Sequence, residues 1–122
     1  MNKEIAQLWT EALRSGEYEQ CRLRLNNSYD GSHCCLGVLC EIMISEGGNL
    51  VKHTNTATGT TTYHGEEFGL PETVMKWSGI SSKHGAFTDS EGNYRSLAEM
   101  NDDHDVSFCE IAKIIDQYGN TL

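Results

Sequence analysis

The chain has 122 residues, of which 38% are hydrophobic and 22% are charged, and its formal net charge is -9. This length predicts one globular domain spanning residues 1–122, and the hydrophobic content excludes a disordered chain. The excess of negative charge repels phosphate backbones and anionic lipids, so we expect neither nucleic acid nor a membrane surface as a partner.

No segment approaches the roughly 18 consecutive apolar residues of a membrane span. Met1 is followed by polar residues instead of the apolar core of a signal peptide, so we expect a cytoplasmic protein. The five cysteines cannot all pair with one another. Because the adjacent Cys34 and Cys35 are poor partners for each other, the pattern indicates reduced thiols.

Five apolar residues near the N-terminus recur at steps of three and four and predict an amphipathic helix that ends before Gly16. They are Ile5, Leu8, Trp9, Ala12 and Leu13. After this helix, apolar and polar residues alternate over residues 20–25. The alternation predicts a short strand with Cys21, Leu23 and Leu25 on its buried side.

The segment from Cys34 to Glu46 predicts a helix that ends at Gly47 and Gly48. Its apolar residues nearly encircle the helix axis, so we expect this helix at the centre of the core. Two threonine-rich segments follow, at residues 50–54 and 60–64, and turn-forming residues separate them. They predict a hairpin.

Pro71 predicts the start of a further helix that ends at Ser78 before Gly79. Residues 86–95 predict a second hairpin, because the segment 89–93 (DSEGN) is rich in turn-forming residues.

Two capping boxes predict the last two helices. Ser96 and Ser107 each precede a glutamate by three residues, at Glu99 and Glu110, so hydroxyl and carboxylate are expected to bond reciprocally to free backbone N–H groups. The whole pattern predicts an α+β fold with about five helical segments and two small hairpins or short strands.

Two clusters offer reactive side chains. The segment Asn101–Asp105 concentrates oxygen and imidazole ligands suited to a divalent ion, but a polar connection between two capped helices needs the same residues. Cys34 at a helix start beside His33 has the surroundings of an activated thiolate, although neighbouring residues on a helix point apart. The sequence has no paired C-x-x-C motif of the kind that binds structural zinc. We expect no metal, no other cofactor and no catalysis.

A small-molecule site is the better-supported hypothesis. Arginine, hydroxyl and amide side chains leave the first helix together, and aromatic and polar residues elsewhere offer stacking and hydrogen bonds to a ring. The candidate ligand-binding residues are Arg14, Ser15, Tyr18, Gln20, Trp77, Asn101 and Asp102. The alternative is that the arginines pair with surface glutamates and that the aromatic residues belong to the core.

Four motifs extend over most of the chain. They are Trp9 with residues 12–20 (ALRSGEYEQ), residues 34–40 (CCLGVLC), residues 70–74 (LPETV) with Trp77 and Gly79, and residues 97–102 (LAEMND) with residues 107–112 (SFCEIA). In these motifs the sequence resembles a family of small proteins encoded by bacteriophages and prophages. The resemblance implies a phage accessory protein that acts in the bacterial cytoplasm.

The first functional hypothesis is a non-enzymatic protein that counters host immunity by sequestering a nucleotide-derived signalling molecule. The second is an acidic inhibitor that binds a host defence protein directly. The third is a nucleotide-degrading enzyme that uses Asp102 and His104. Tight sequestration often uses pockets shared between copies, so a homo-oligomer remains an open alternative.

Overall fold

A computed structural model describes residues 1–122 as an α+β domain, which confirms the predicted fold class. Five α-helices are present: α1 (Lys3–Arg14), α2 (Cys35–Ser45), α3 (Glu72–Ser78), α4 (Leu97–Asp102) and α5 (Phe108–Tyr118). Six strands are present: β1 (Asn26–Asn27), β2 (Ser32–His33), β3 (Lys52–Asn55), β4 (Thr60–Tyr63), β5 (Ala86–Thr88) and β6 (Tyr94–Ser96). A 3-10 turn at Gly119–Thr121 follows α5.

The strands form two antiparallel sheets. The larger sheet has the order β2-β1-β4-β3, and its β3–β4 hairpin pairs Lys52 with Tyr63 and Asn55 with Thr60. The smaller sheet is the β5–β6 hairpin, in which Phe87 opposes Arg95. Both predicted hairpins are therefore confirmed.

Helix α2 forms the centre of the core, as its apolar circumference predicts. Eight of its residues are buried, and they occupy every side of the helix: Cys35, Leu36, Gly37, Val38, Leu39, Cys40, Ile42 and Met43. The indole N–H of Trp9 in α1 donates to the carbonyl of Cys35 at 2.9 Å, which fixes α1 against the start of α2. None of the helices combines the length and the apolar character needed to cross a membrane.

The strand predicted over residues 20–25 does not form, and this prediction was wrong. Only Leu25 of its expected apolar face is fully buried, whereas Leu23 is 66% exposed and has a positive φ of 68°. The backbone N–H groups of the segment bond to unrelated partners, Cys21 to the carbonyl of His33 and Leu25 to that of Glu67. Gln20 forms a single parallel bridge with His33 of β2, but the pairing does not continue into a ladder, so the rest of the segment is a bent loop.

The two capping boxes form in one direction only. The hydroxyls of Ser96 and Ser107 accept the N–H groups of Glu99 and Glu110, at 3.1 and 3.3 Å. The glutamate carboxylates do not bond back to the serine N–H groups. The Glu99 carboxylate instead accepts a hydrogen bond from the His104 imidazole at 2.9 Å.

Candidate functional site

Three of the seven predicted ligand-binding residues form one hydrogen-bonded network. The amide nitrogen of Gln20 donates to the Asn101 Oδ1 atom and to the Val106 carbonyl, each at 2.8 Å. The amide nitrogen of Asn101 donates to Asp102 Oδ1 at 2.8 Å. Asp102 Oδ1 also accepts the backbone N–H of Leu23 at 3.0 Å, so the network holds the bent loop in place.

Asn101 is completely buried and has no hydrogen-bonding capacity left for a ligand. Its Oδ1 atom accepts from Gln20 and from the backbone N–H of Cys35, and its Nδ2 atom donates to Asp102 and to the carbonyl of Cys21. An amide side chain offers two donors and two acceptor lone pairs, and all four are used here. The contacts assign Asn101 a structural role, tying α4 to the start of α2.

The other four predicted residues lie apart from this network. Arg14 pairs with Asp116 of α5 at 2.6 Å on an exposed surface, and Ser15 donates to the carbonyl of Ala12 at the end of α1. The ring of Tyr18 stands edge-on to a buried imidazole described below, and burial raises the pKa of its phenol. Trp77 of α3 packs, partly buried, against the core.

The surface of the protein carries five cavities, and none of the seven predicted residues lines any of them. One cavity of about 430 Å³ combines aromatic and apolar walls with cationic and amide groups, and it lies between the β5–β6 hairpin, α4 and α5. Its lining residues are Phe87, Asp89, Arg95, Met100, His104, Ile114, Gln117 and Tyr118. We call it the hairpin cavity.

Two stacked rings form the aromatic wall of the hairpin cavity. The ring centroids of Phe87 and Tyr118 lie 5.0 Å apart, with the ring planes inclined by 30°. The Tyr118 hydroxyl oxygen accepts the backbone N–H of Ser90 at 2.9 Å and the amide of Gln117 at 3.2 Å. The tyrosine ring is therefore held from both the hairpin turn and its own helix.

A single guanidinium faces two carboxylates at the edge of the hairpin cavity. Arg95 lies 3.6 Å from Asp89 and 3.5 Å from Glu99, and Glu99 also bonds to His104 at 2.9 Å. The backbone N–H of Asn93 lowers the pKa of Asp89, and the hydrogen bond from His104 lowers the pKa of Glu99. Both carboxylates are consequently ionised at neutral pH.

A second polar cluster lies between the larger sheet and α2, where each of the four strands contributes one side chain. Asn26 and His33 meet at 2.6 Å, and the Glu41 carboxylate of α2 accepts from Lys52 at 2.9 Å and from the Tyr63 hydroxyl. His33 lies 3.7 Å from Glu41, and its Nδ1 atom is buried without a hydrogen-bond partner. We call this set the sheet cluster.

Glu41 and Tyr63 of the sheet cluster have pKa values that are shifted away from neutral pH. Burial disfavours the charge on Glu41, but the donors around it outweigh burial and lower its pKa to about 2. Burial and the bond to Glu41 raise the pKa of Tyr63. A general acid or base works best with a pKa near the operating pH, and these two groups are shifted in opposite directions away from it. None of the five cavities has a residue of the sheet cluster in its lining.

The thiols and the acidic loop do not assemble a reactive centre. All five cysteines are free, and burial raises the pKa of Cys34 to about 12, so its thiolate is scarce. In the Asn101–Asp105 segment, Asp102 bonds to the Leu23 N–H while Asp105 pairs with Arg22. No three His, Cys, Asp or Glu side chains converge in a geometry that would hold a metal ion.

The sequence analysis named His104 and His33 in other roles but predicted neither of these two sites, because their residues come from separate elements. The hairpin cavity joins side chains from β5, β6, α4 and α5, and in sequence they appear as turn, cap and core residues. One signal was present for the sheet cluster: Glu41 is the only charged residue in the apolar helix α2. A carboxylate in such a helix requires partners, and these come from β3 and β4.

Comparison with known proteins identifies a family but no characterised relative. Residues 1–119 match the model of a domain of unknown function, DUF8296. No curated protein and no solved structure shows significant similarity to the chain. Because the match covers nearly the whole sequence, the chain belongs to the DUF8296 family.

Proposed function

We propose that this protein is a phage-encoded accessory protein that binds and sequesters a nucleotide-derived signalling molecule of host antiviral immunity in the bacterial cytoplasm. The ligand occupies the hairpin cavity, and the protein does not convert it. The phage assignment rests on the motif resemblance noted above, and the binding site rests on the geometry of the cavity.

The observation that carries the proposal is the combination of groups around one concavity. A stacked aromatic pair, Phe87 and Tyr118, lies in the same cavity as the guanidinium of Arg95. The volume of about 430 Å³ falls within the range of small-molecule sites. A base stacks on an aromatic ring and a phosphate pairs with a guanidinium, so the cavity offers both contacts that a nucleotide needs.

Binding without conversion is supported by the arrangement of the titratable groups. His104 is oriented by Glu99 in the manner of a general base, but no cysteine lines the cavity and Asp102 is bonded elsewhere. The third hypothesis required Asp102 and His104 to act together. Asp102 instead accepts hydrogen bonds from Leu23 and Asn101.

Titration calorimetry against a panel of immune nucleotides tests the proposal. The panel contains cyclic mononucleotides, cyclic dinucleotides and ADP-ribose derivatives. We expect saturable binding to at least one member, loss of binding in Arg95→Gln, and recovery of the unaltered ligand after heat denaturation. Absence of binding to every member would refute the proposal, and recovery of a converted product would replace it with an enzymatic function.

Arg14→Gln is the matched control. Both arginines form exposed or half-exposed ion pairs, Arg14 with Asp116 and Arg95 with Asp89 and Glu99, but only Arg95 lines the hairpin cavity. Loss of binding in Arg14→Gln with binding retained in Arg95→Gln would assign the site to the end of α1 instead of the cavity.

A second function, direct inhibition of a host defence protein, is supported by the distribution of charge. Every lysine and arginine except Lys3 and Arg24 lies within 4.0 Å of a carboxylate, whereas several glutamates of the α1 region, such as Glu4, Glu17 and Glu19, form no ion pair. Such a surface attracts a basic partner, with an association rate that falls as salt rises. Pull-down of a host protein that survives Arg95→Gln but weakens in Glu17→Gln/Glu19→Gln would favour this function.

A further inference from the structure

The lining of the hairpin cavity contains one guanidinium, that of Arg95, and one partly exposed aromatic ring, that of Tyr118. We infer that its ligand is a cyclic mononucleotide, a single nucleobase joined to a monoanionic cyclic phosphodiester, and not a cyclic dinucleotide or an ADP-ribose derivative. This inference rests on the proposed function and narrows its ligand class.

The charges around the cavity limit the ligand to one phosphate. Arg95 is the only lysine or arginine that lines it, and the Asp89 and Glu99 carboxylates lie on either side of the guanidinium. Their distances of 3.6 and 3.5 Å exceed those of direct charge-assisted hydrogen bonds, so the guanidinium retains N–H donors for a ligand. A second phosphate would face two carboxylates without a cation of its own.

The one guanidinium and two carboxylates at the cavity also discriminate between the cyclic and the linear form of a mononucleotide. A cyclic phosphodiester carries one negative charge, whereas the terminal phosphate of a linear 5′-nucleotide carries about 1.5 to 2 at pH 7, by analogy with other phosphomonoesters. The additional negative charge of the linear form would lie beside the ionised carboxylates of Asp89 and Glu99 and would be repelled by them. The cyclic form is therefore the better electrostatic match.

The aromatic wall limits the ligand to one stacked base. Phe87 and Tyr118 stack on each other, so each covers one face of its neighbour. Phe87 is also buried in the core, with 5% of its surface exposed, which leaves the half-buried Tyr118 as the ring available to a ligand. A dinucleotide would leave its second base without an aromatic partner.

Two polar side chains remain to orient the base and the ribose. The side-chain amide of Gln117 donates one N–H to the Tyr118 hydroxyl, and the side-chain oxygen of Gln117 has no partner within the protein. His104 uses its Nε2 atom with Glu99, which leaves Nδ1. These atoms supply the hydrogen bonds that would distinguish one base from another.

Calorimetry with purified full-length protein separates the ligand classes. The probes are the 3′,5′-cyclic monophosphates of adenosine, guanosine, cytidine and uridine, the matching linear 5′-monophosphates, 3′,3′-cyclic di-AMP and ADP-ribose. We expect one cyclic mononucleotide to bind most tightly, and its linear counterpart to bind about tenfold more weakly. Arg95→Gln and Tyr118→Leu should each weaken the preferred ligand by about tenfold or more, whereas Arg14→Gln should not.

The outcomes distinguish this inference from the proposed function. If cyclic di-AMP or ADP-ribose binds more tightly than every cyclic mononucleotide and Arg95→Gln abolishes that binding, the inference is overturned while the proposed function stands. If no probe binds, the inference fails, and the proposed function also fails if no member of the wider panel of immune nucleotides binds. Thermal unfolding of each variant verifies that it is folded.

Discussion

Gly37 of α2 lies directly against the backbone of Leu25, so that a Cβ atom at position 37 would overlap the Leu25 carbonyl oxygen. That carbonyl accepts the N–H of Cys34 at 3.1 Å, just before the first turn of α2. The bent loop and the central helix therefore meet through backbone alone, and this contact admits no side chain.

Gly37→Ala should destabilise the fold by about 3 kcal/mol, because either α2 or the loop at Leu25 must move to relieve the overlap. Urea denaturation followed by circular dichroism measures the change in the free energy of unfolding. Gly119→Ala is the control, since that position has a helical φ of -53° and open space around it. Equal stability of the two variants would contradict the packing described here.

Asn101→Asp should also destabilise the protein by about 3 kcal/mol, although the two side chains have nearly the same shape. An ionised carboxylate cannot donate to the Cys21 carbonyl, and it lies next to the Asp102 carboxylate in a buried position. Asn120→Asp introduces the same charge at an exposed position and should change the free energy of unfolding by less than about 0.5 kcal/mol. A similar loss in both variants would indicate a general effect of net charge.

The helices were accessible to sequence analysis because each depends on local signals. Trp9 and Leu13 recur at helical spacing and are buried, and Gly79 takes the left-handed conformation that ends α3. The bent loop was not accessible, since its shape depends on Asp102, which lies 79 positions from Leu23. Period-two alternation cannot reveal whether a neighbouring strand exists.

The candidate site was harder to predict than the fold. The sequence indicates a functional role for Asn101, but its four partners assign it to structure instead of binding: Asp102 beside it in α4, Gln20 and Cys21 of the bent loop, and Cys35 of α2. Phe87 and Tyr118 are far apart in sequence and meet only because α5 packs beside the β5–β6 hairpin. A sequence shows which side chains are present, but predicting a site also requires knowing which of them line the same cavity.

Glu41 should make the protein sensitive to acid. Its pKa is lowered to about 2 from an ordinary value of 4.5, so the carboxylate stabilises the fold fully above about pH 5, and this contribution is lost as the pH falls through the folded-state pKa near 2. Glu41→Gln removes the negative charge that faces His33, Tyr63 and Lys52. We expect a loss of about 2 kcal/mol at pH 7, a figure reduced to allow for solvent screening.

Urea unfolding of wild type and Glu41→Gln between pH 7 and pH 2 measures this dependence. The difference between the two proteins should be constant from pH 7 to pH 5 and should shrink steadily below pH 5, because the protonated wild-type carboxyl then resembles the amide. Glu46→Gln is the control, since Glu46 is exposed just after α2. A difference that grows on acidification would show that Glu41 is not held in its charged form.

The five free thiols should react at widely different rates. Cys109 is exposed on α5, whereas Cys34, Cys35 and Cys40 are buried and burial raises the pKa of each, so access favours Cys109 and the three buried thiolates are scarce. With Ellman's reagent at pH 8, we expect one rapid equivalent that disappears in Cys109→Ser, a slower reaction of the half-buried Cys21, whose pKa burial also raises, and reaction of the three buried thiols only at the rate of unfolding. Peptide mapping after a short alkylation identifies the labelled residue. Labelling of Cys34 as fast as Cys109 in the native protein would show an accessible thiolate at the start of α2, and a nucleophilic role for Cys34 would then follow.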